Sequence, residues 1–345
     1  MRTIDELRVL QALPLELKVA KTKLRIREWV NEFGVEGVYV AFSGGKDSTV
    51  LLHIVRQMYP DIEAVFVNTG LEYPEIQSFV KTFENVTILR PKMRFDEVIK
   101  KYGYPMVSKR TAQCLYYGRT HFEQGKTTAY TKLLDGTSTM TNGLKSFYSC
   151  EKWKPLIYSQ FKVSHKCCGI MKKDPMQKYR KLTGKVPIIA TMADESMGRK
   201  DRWLQYGCNY FCEKNPSSQP MSFWTEQDVL RYIKSNNLPI ASVYGDVVCA
   251  ENEQQTRMFD DGEKLKTTGC QRTGCVFCGF GCHLEKSPTR FERLKETHPR
   301  QYEYCIGGGE FNEDGIWQPN KKGLGMGYVF DQLNRIYGED FIKYK

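Results

Sequence analysis

Val38-Tyr39-Val40-Ala41-Phe42-Ser43-Gly44-Gly45-Lys46-Asp47-Ser48 is the stretch from which the fold can be read. Five apolar residues run into a glycine turn, and Val50, Leu51, Leu52, Ile54 and Val55 then resume helical spacing. The pattern is a buried strand, a tight turn and a helix. Two consecutive glycines let the backbone approach an anion closely. Their N–H groups, with the N-terminus of the helix, form a nest for phosphate. Ser43 and Ser48 add hydroxyls, Lys46 adds a cation, and Asp47 adds a carboxylate suited to Mg²⁺ beside phosphate oxygens. The glycine spacing is not that of the GxxxxGK[ST] loop.

Outward from this loop the rhythm continues. Ala64-Val65-Phe66-Val67 reads as a second strand running into Asn68-Thr69-Gly70, and Pro74 suits the first turn of the next helix. Val86 to Leu89 reads as a third strand. A helix is expected near 169–182, a strand at Val186 to Ala190, and a helix capped by Thr225 through about Ser235. Strands alternating with helices predict an α/β fold with a doubly wound parallel sheet, ligands binding at the turns after the strands. Residues 1–34 are expected to be mostly helical, with Leu7, Leu10, Leu17, Leu24 and Trp29 at loosely helical spacing. The nucleotide domain is expected over 35–244. Within it, 104–165 is an insertion without lasting period, whose Tyr116, Tyr117, Arg119, Tyr130 and Lys132 suit stacking and phosphate contact. Residues 245–345 read as a small Cys-rich module held by something other than a large core.

The chain has 345 residues, 41% hydrophobic and 26% charged, enough to bury a sizeable core. No apolar run reaches the ~18 residues of a membrane span, and the acidic start Met1 to Glu6 is unlike a signal peptide. These features point to a cytoplasmic protein without a membrane partner. A net charge of +11 favours an anionic partner, either nucleotide or nucleic acid. Twelve cysteines in a reducing compartment point to metal or redox chemistry before disulfides. Cys275 and Cys278 have the Cys-x-x-Cys spacing that chelates one metal centre. Cys167 and Cys168 can complete the set, and Cys270 and Cys282 are the competing pair. Zinc is the simpler occupant, but adjacent Cys167 and Cys168 suit an iron–sulfur cluster better.

Ser43 to Ser48 resembles the pyrophosphate loop (PP-loop) of the N-type ATP pyrophosphatases, including the phosphoadenosine phosphosulfate (PAPS) reductase family. Asn68 to Glu75, Cys167 to Pro175, and Asp194-Glu195-Ser196 with Arg199 resemble further segments of that family, in the family's order. The resemblance implies ATP with its pyrophosphate on Ser43, Gly44, Gly45, Lys46, Asp47 and Ser48, of which Lys46, Asp47 and Ser48 would be catalytic. It also places the adenine near Asn68, Thr69 and Gly70, with Glu195 and Arg199 in the site. Cys167 and Cys168 with the downstream CxxC resemble the [4Fe–4S] set of plant-type adenylyl-sulfate (APS) reductases. The cluster Cys270, Cys275, Cys278 and Cys282 resembles that of DNA-phosphorothioation sulfurtransferases. Three features depart from the reductases: no cysteine after Cys305, an intact phosphate loop, and Met192 where an arginine is usual. The expectation is an ATP-dependent adenylating sulfurtransferase with Mg²⁺ and an iron–sulfur cluster. Its acceptor is a nucleic acid (tRNA or DNA) or a small molecule, it needs a sulfur donor, and a homo-oligomer is compatible with it. Cys114 or Cys150 is a candidate sulfur relay. The alternatives are an APS or PAPS reductase using Cys305, and a non-catalytic iron–sulfur or zinc protein that binds nucleic acid.

Overall fold

The computed structural model describes residues 2–250 and 264–345; the part of the expected 245–345 module at 251–263 lies outside the described residues. The chain forms two compact units built from interleaved segments. The first comprises Met1–Asn68, Glu72–Arg90 and Met176–Gly274, and the second comprises Thr69–Leu71, Pro91–Pro175 and Cys275–Lys345. The sequence reading expected consecutive segments divided at 244/245. Instead, residues up to Gly274 join the first unit, and the insertion shares a unit with the C-terminal residues.

The first unit carries a six-stranded sheet: β1 (Val38–Ala41), β2 (Ala64–Val67), β3 (Val86–Leu89), β4 (Val186–Ile189), β5 (Asn209–Tyr210) and β6 (Ser217–Ser218). The order is β3-β2-β1-β4-β6-β5. All neighbours are parallel except the edge pair β5/β6. Val40 lies opposite both Ala64 and Ile188, so β1 is the strand from which the sheet was wound in both directions. In such sheets the crevice beyond the carboxyl end of the central strands is the ligand-binding edge. Val38, Val40, Ala64, Phe66 and Ile188 are buried against Val50, Leu51, Ile54 and Val55 of the helix Lys46–Met58. Each large aliphatic side chain so buried contributes roughly 1.5–3 kcal/mol. Pro74 opens the helix Pro74–Val80, and Thr225 caps Glu226–Ser235 through the Asp228 amide.

The N-terminal region is helical over Ile4–Gln11 and Leu15–Phe33. Of the leucines and tryptophan at helical spacing, Leu7 and Trp29 are buried, but Leu17 and Leu24 are exposed. The buried face of the longer helix is instead Lys18, Thr22, Ile26, Trp29 and Val30. Its first two members are polar because they meet polar partners: Lys18 Nζ lies 2.6 Å from Asp228 Oδ2 with both side chains almost fully buried. Thr22 accepts the Trp224 indole N–H at 2.9 Å.

In the second unit, the stretch expected to lack period contains the helices Lys109–Glu123 and Ala129–Leu134 and a 3₁₀ segment Glu151–Tyr158. The expected helix near 169–182 begins with a wide π-type turn, Gly169–Lys173, and continues as Asp174–Thr183. The C-terminal residues do have an apolar core. Phe291, Leu324, Met326, Val329, Phe330 and Leu333 are fully buried, and the Phe291 and Phe330 rings pack at 4.9 Å. Tyr104 of the insertion donates to the Leu324 carbonyl at 2.8 Å, and Trp317 N–H donates to the Gln160 carbonyl at 2.6 Å.

Removing one member of a buried ion pair strands the other. Lys18→Ala is therefore expected to lower the unfolding free energy by about 3–5 kcal/mol, read from the denaturant midpoint at unchanged m-value.

Candidate functional site

In the first unit the turn after β1 is Ser43-Gly44-Gly45, and Gly45 precedes the first turn of the helix Lys46–Met58. Gly44 has φ +71°, and a Cβ there would lie 2.7 Å from Val80 Cγ2 and 2.8 Å from Ile76 Cγ2. Only glycine meets both conditions. The two serines hold the loop closed: their hydroxyls are 3.0 Å apart, Ser43 N–H donates to Ser48 Oγ, and Ser48 Oγ donates to the Gly45 carbonyl. Gly45 N–H donates to Ser43 Oγ at 3.3 Å.

Lys46 is buried, its ammonium 2.7 Å from Glu226 Oε1 and 2.6 Å from the Gln271 carbonyl. Its backbone N–H donates to the Tyr244 hydroxyl, which is hydrogen-bonded to Thr273. Burial pushes the Tyr244 phenol up to about 12, so it stays a neutral hydroxyl. Asp47 Oδ1 is buried and has no hydrogen-bond partner among the described residues. Burial raises the Asp47 carboxyl above the usual range, against the pull of Lys46, Arg272 and Arg199.

The turn after β4 adds Glu195 and Arg199. Glu195 accepts the Met192 amide at 3.0 Å and is ion-paired with Arg199. Burial, then repulsion from Arg272, lowers the Arg199 guanidinium from its ordinary value. Asn68 follows β2 and donates its backbone N–H to Leu89. The first unit thus brings together the loop residues, Glu195 and Arg199. Thr69 and Gly70, expected beside Asn68, are counted with the second unit. Tyr244, Glu226, Gln271, Arg272 and Thr273 were not foreseen. Only the Tyr244-Gly245 turn gives any sequence signal, since Gln271 acts through its carbonyl.

In the second unit Cys167, Cys168, Cys275 and Cys278 line one cavity with Leu71, Phe95, Pro105, Met171 and Lys172. Leu71 is tied to the CxxC turn: its carbonyl accepts the Val276 N–H at 2.7 Å, and Cys278 N–H donates to the Cys275 carbonyl. Cys167 Sγ donates to Cys168 Sγ at 3.9 Å. That contact, aided by Lys109, Lys172 and Lys173, lowers the Cys168 thiol to about 6. The same contact and burial raise Cys167. Burial raises Cys278, opposed by the Phe280 amide and by Arg290, whose guanidinium also donates to the Cys278 carbonyl. Among the described residues no three Cys, His, Asp or Glu side chains converge on a single ion position.

The competing pair is placed differently. Cys282 is buried, donates to the Gly279 carbonyl at 3.0 Å, and is pushed up to about 12 by burial. Cys270 belongs to the first unit, its amide on the Val243 carbonyl. Cys305 is fully buried with Sγ 3.4 Å from Met326 Sδ, and burial raises its thiol well above the ordinary value. Beside the CxxC turn, Val107 has φ +66° and its carbonyl accepts the Gly281 N–H. A β-branched residue in that region is strained.

A carboxyl raised by burial makes folding less favourable as pH rises past its unfolded value. Asp47→Asn is therefore expected to melt higher than the natural protein at about pH 7, the difference shrinking towards about pH 4. Thermal scans without nucleotide or divalent ion check this.

Residues 37–131 and 137–279 match the family model described as phosphoadenosine phosphosulfate reductase domain. The chain is 25% identical over 276 residues to sulfate adenylyltransferase subunit 2 of Allorhizobium ampelinum, covering 71% of this chain and 73% of that one. It is 24% identical over 269 residues to the adenosine 5'-phosphosulfate reductase of Geobacillus kaustophilus, covering 76% and 91%. A match at 37% identity over 73 residues, to uncharacterized protein MJ0973 of Methanocaldococcus jannaschii, spans 20% of this chain and 18% of that protein. No helix among the described residues is long and apolar enough to cross a membrane.

Proposed function

The chain belongs to the phosphoadenosine phosphosulfate reductase family, and from that premise we propose that it is an ATP-using enzyme that adenylates an acceptor and replaces the activated oxygen with sulfur. The observation that carries the reading is the buried, unpartnered Asp47 Oδ1 at the head of the helix Lys46–Met58. An orphaned carboxylate oxygen beside a phosphate-type nest fits Mg²⁺ bridging to phosphate. The names of two relatives state the two chemistries at issue, adenylyl transfer to sulfate and reduction of adenosine 5'-phosphosulfate.

Pyrophosphate would sit on the amides of Ser43 and Gly45, displacing the serine hydroxyls that accept from them. Lys46 and the helix N-terminus would neutralise its charge, and Asp47 would hold Mg²⁺. An acceptor oxygen attacks the α-phosphorus, and the bond to the bridging oxygen breaks. Pyrophosphate leaves with the electron pair, and a sulfur nucleophile then displaces AMP. The protein's part is positioning and charge neutralisation. Asn68, Thr69 and Gly70 are proposed for the adenine, and Glu195 and Arg199 for orienting the phosphates.

Cys167, Cys168, Cys275 and Cys278 are the proposed ligands of a [4Fe–4S] cluster. Support for this set comes from the four thiols lining one cavity, two of them adjacent in sequence. Lys109, Lys172 and Lys173 favour the thiolate form. With a cysteine on each of its four irons, such a cluster would supply structure and electron-transfer capacity rather than an open iron for sulfide. The reductase alternative would need Cys305 as nucleophile, and its complete burial disfavours that role. For a nucleic-acid acceptor, support comes from exposed Phe147 and Tyr148, with the Arg110 guanidinium 3.6 Å above the Tyr148 ring.

Acceptor-dependent release of pyrophosphate from ATP tests the activity. Asp47→Ala and Ser48→Ala are each expected to reduce it by about 100-fold or more, and unchanged rates would remove the reading. Iron and acid-labile sulfide in anaerobically purified protein test the ligands. Cys275→Ser and Cys278→Ser are expected to lose both, Cys270→Ser and Cys282→Ser to retain them.

A further inference from the structure

The phosphate loop is only one wall of its site. A second wall is the strap that runs from Lys264 to Gly274, and its fixing is dense. The strand Leu265–Thr267 pairs antiparallel with Val247–Cys249. Gly269 N–H donates to the Tyr244 carbonyl and Cys270 N–H to the Val243 carbonyl. Thr267 Oγ1 donates to the Cys270 carbonyl, and Gln271 Nε2 to the Thr267 carbonyl. Gly245 has φ +64°, and a Cβ there would strike Thr268 Oγ1 at 2.1 Å, so the strap lies flat on that turn.

Three successive strap residues face the loop. The Gln271 carbonyl takes the Lys46 ammonium. The Thr273 hydroxyl bonds to the Tyr244 hydroxyl that holds the Lys46 amide, and would lie 3.8 Å from a Cβ on Gly45. Arg272 sits between these two anchors, so its backbone is fixed although its side chain is exposed. Among the described residues its guanidinium makes no hydrogen bond or ion pair, whereas Lys46 has Glu226 and Arg199 has Glu195. Two guanidiniums near enough to repel each other beside a buried carboxylate make an arrangement that a polyanion would relieve.

We propose that Gln271–Thr273 is a phosphate clamp and that Arg272 binds the pyrophosphate moiety of the nucleotide, opposite the amides of the loop. It rests on the nucleotide reading of that loop. The clamp makes the site select polyphosphate chains over monophosphates, and the Gln271 carbonyl acts as a positioning group that aims the Lys46 ammonium. Because Arg272 is exposed, its replacement leaves packing untouched.

Calorimetry with Mg·ATP, inorganic pyrophosphate and AMP tests the clamp on the full chain. Arg272→Ala is expected to weaken ATP and pyrophosphate by about 10- to 100-fold while leaving AMP affinity and the ligand-free melting temperature unchanged. Arg272→Lys, which keeps the charge and loses the planar fork, is expected to recover part of the loss. Natural-strength binding of ATP and pyrophosphate by Arg272→Ala would overturn the clamp and leave the loop reading standing, as would an equal loss for AMP. Failure of the unmodified protein to bind any of the three would remove the loop reading, and the clamp with it.

Discussion

The Lys46 ammonium, out of water between Glu226 and the Gln271 carbonyl, is the contact through which the first unit's site is organised. Transferring a cation to such a place costs several kcal/mol unless its protons are met by acceptors. Meeting them ties together three segments far apart in sequence: the helix after β1, the helix Glu226–Ser235 and the strap. The same residue's amide recruits Tyr244, and through it Thr273. Gly44 completes the arrangement from the other side, since its lack of a Cβ admits Ile76 and Val80 beneath the turn. One buried charge and one missing side chain therefore fix both walls of the proposed anion site.

Strands β1 to β4 were legible because they are short, largely apolar and followed by turn residues, and Pro74 and Thr225 mark helix starts; β5 and β6 were not, being two residues each of Asn-Tyr and Ser-Ser. The insertion was not, because the buried face of Lys109–Glu123 is Thr111, Ala112, Cys114, Leu115 and Gly118. Those residues carry little hydrophobic contrast, and the clearest signal was Ser108, whose side chain caps the helix. Leu17 and Leu24 misled for the opposite reason. They have helical spacing, but the face that packs is the one with Lys18 and Thr22. At the site, the loop was readable as chemistry, while the strap acts through a carbonyl, a threonine and backbone amides that leave no side-chain pattern.

The cysteines divide by surroundings more clearly than by spacing. Cys275, Cys278 and Cys282 lie close together in the chain, yet Cys282 turns into the interior and donates to the Gly279 carbonyl. The other two face a cavity with Cys167 and Cys168 and with lysines around them. Spacing alone left two ligand sets open. Burial and neighbouring charge favour the one that spans the sequence.

The interleaving of segments constrains how the polypeptide matures. Met106–Val107 pairs with Gly279–Phe280, a partner that the ribosome delivers some 170 residues later, a wait of roughly ten to thirty seconds at ordinary elongation rates. For that interval the hydrophobic side of Lys109–Glu123, and the thiols of Cys167 and Cys168, emerge before the residues that will enclose them. The second unit is thus finished only after Gly279 and Phe280 have been made, and until then Cys167 and Cys168 wait for Cys275 and Cys278, which share their cavity.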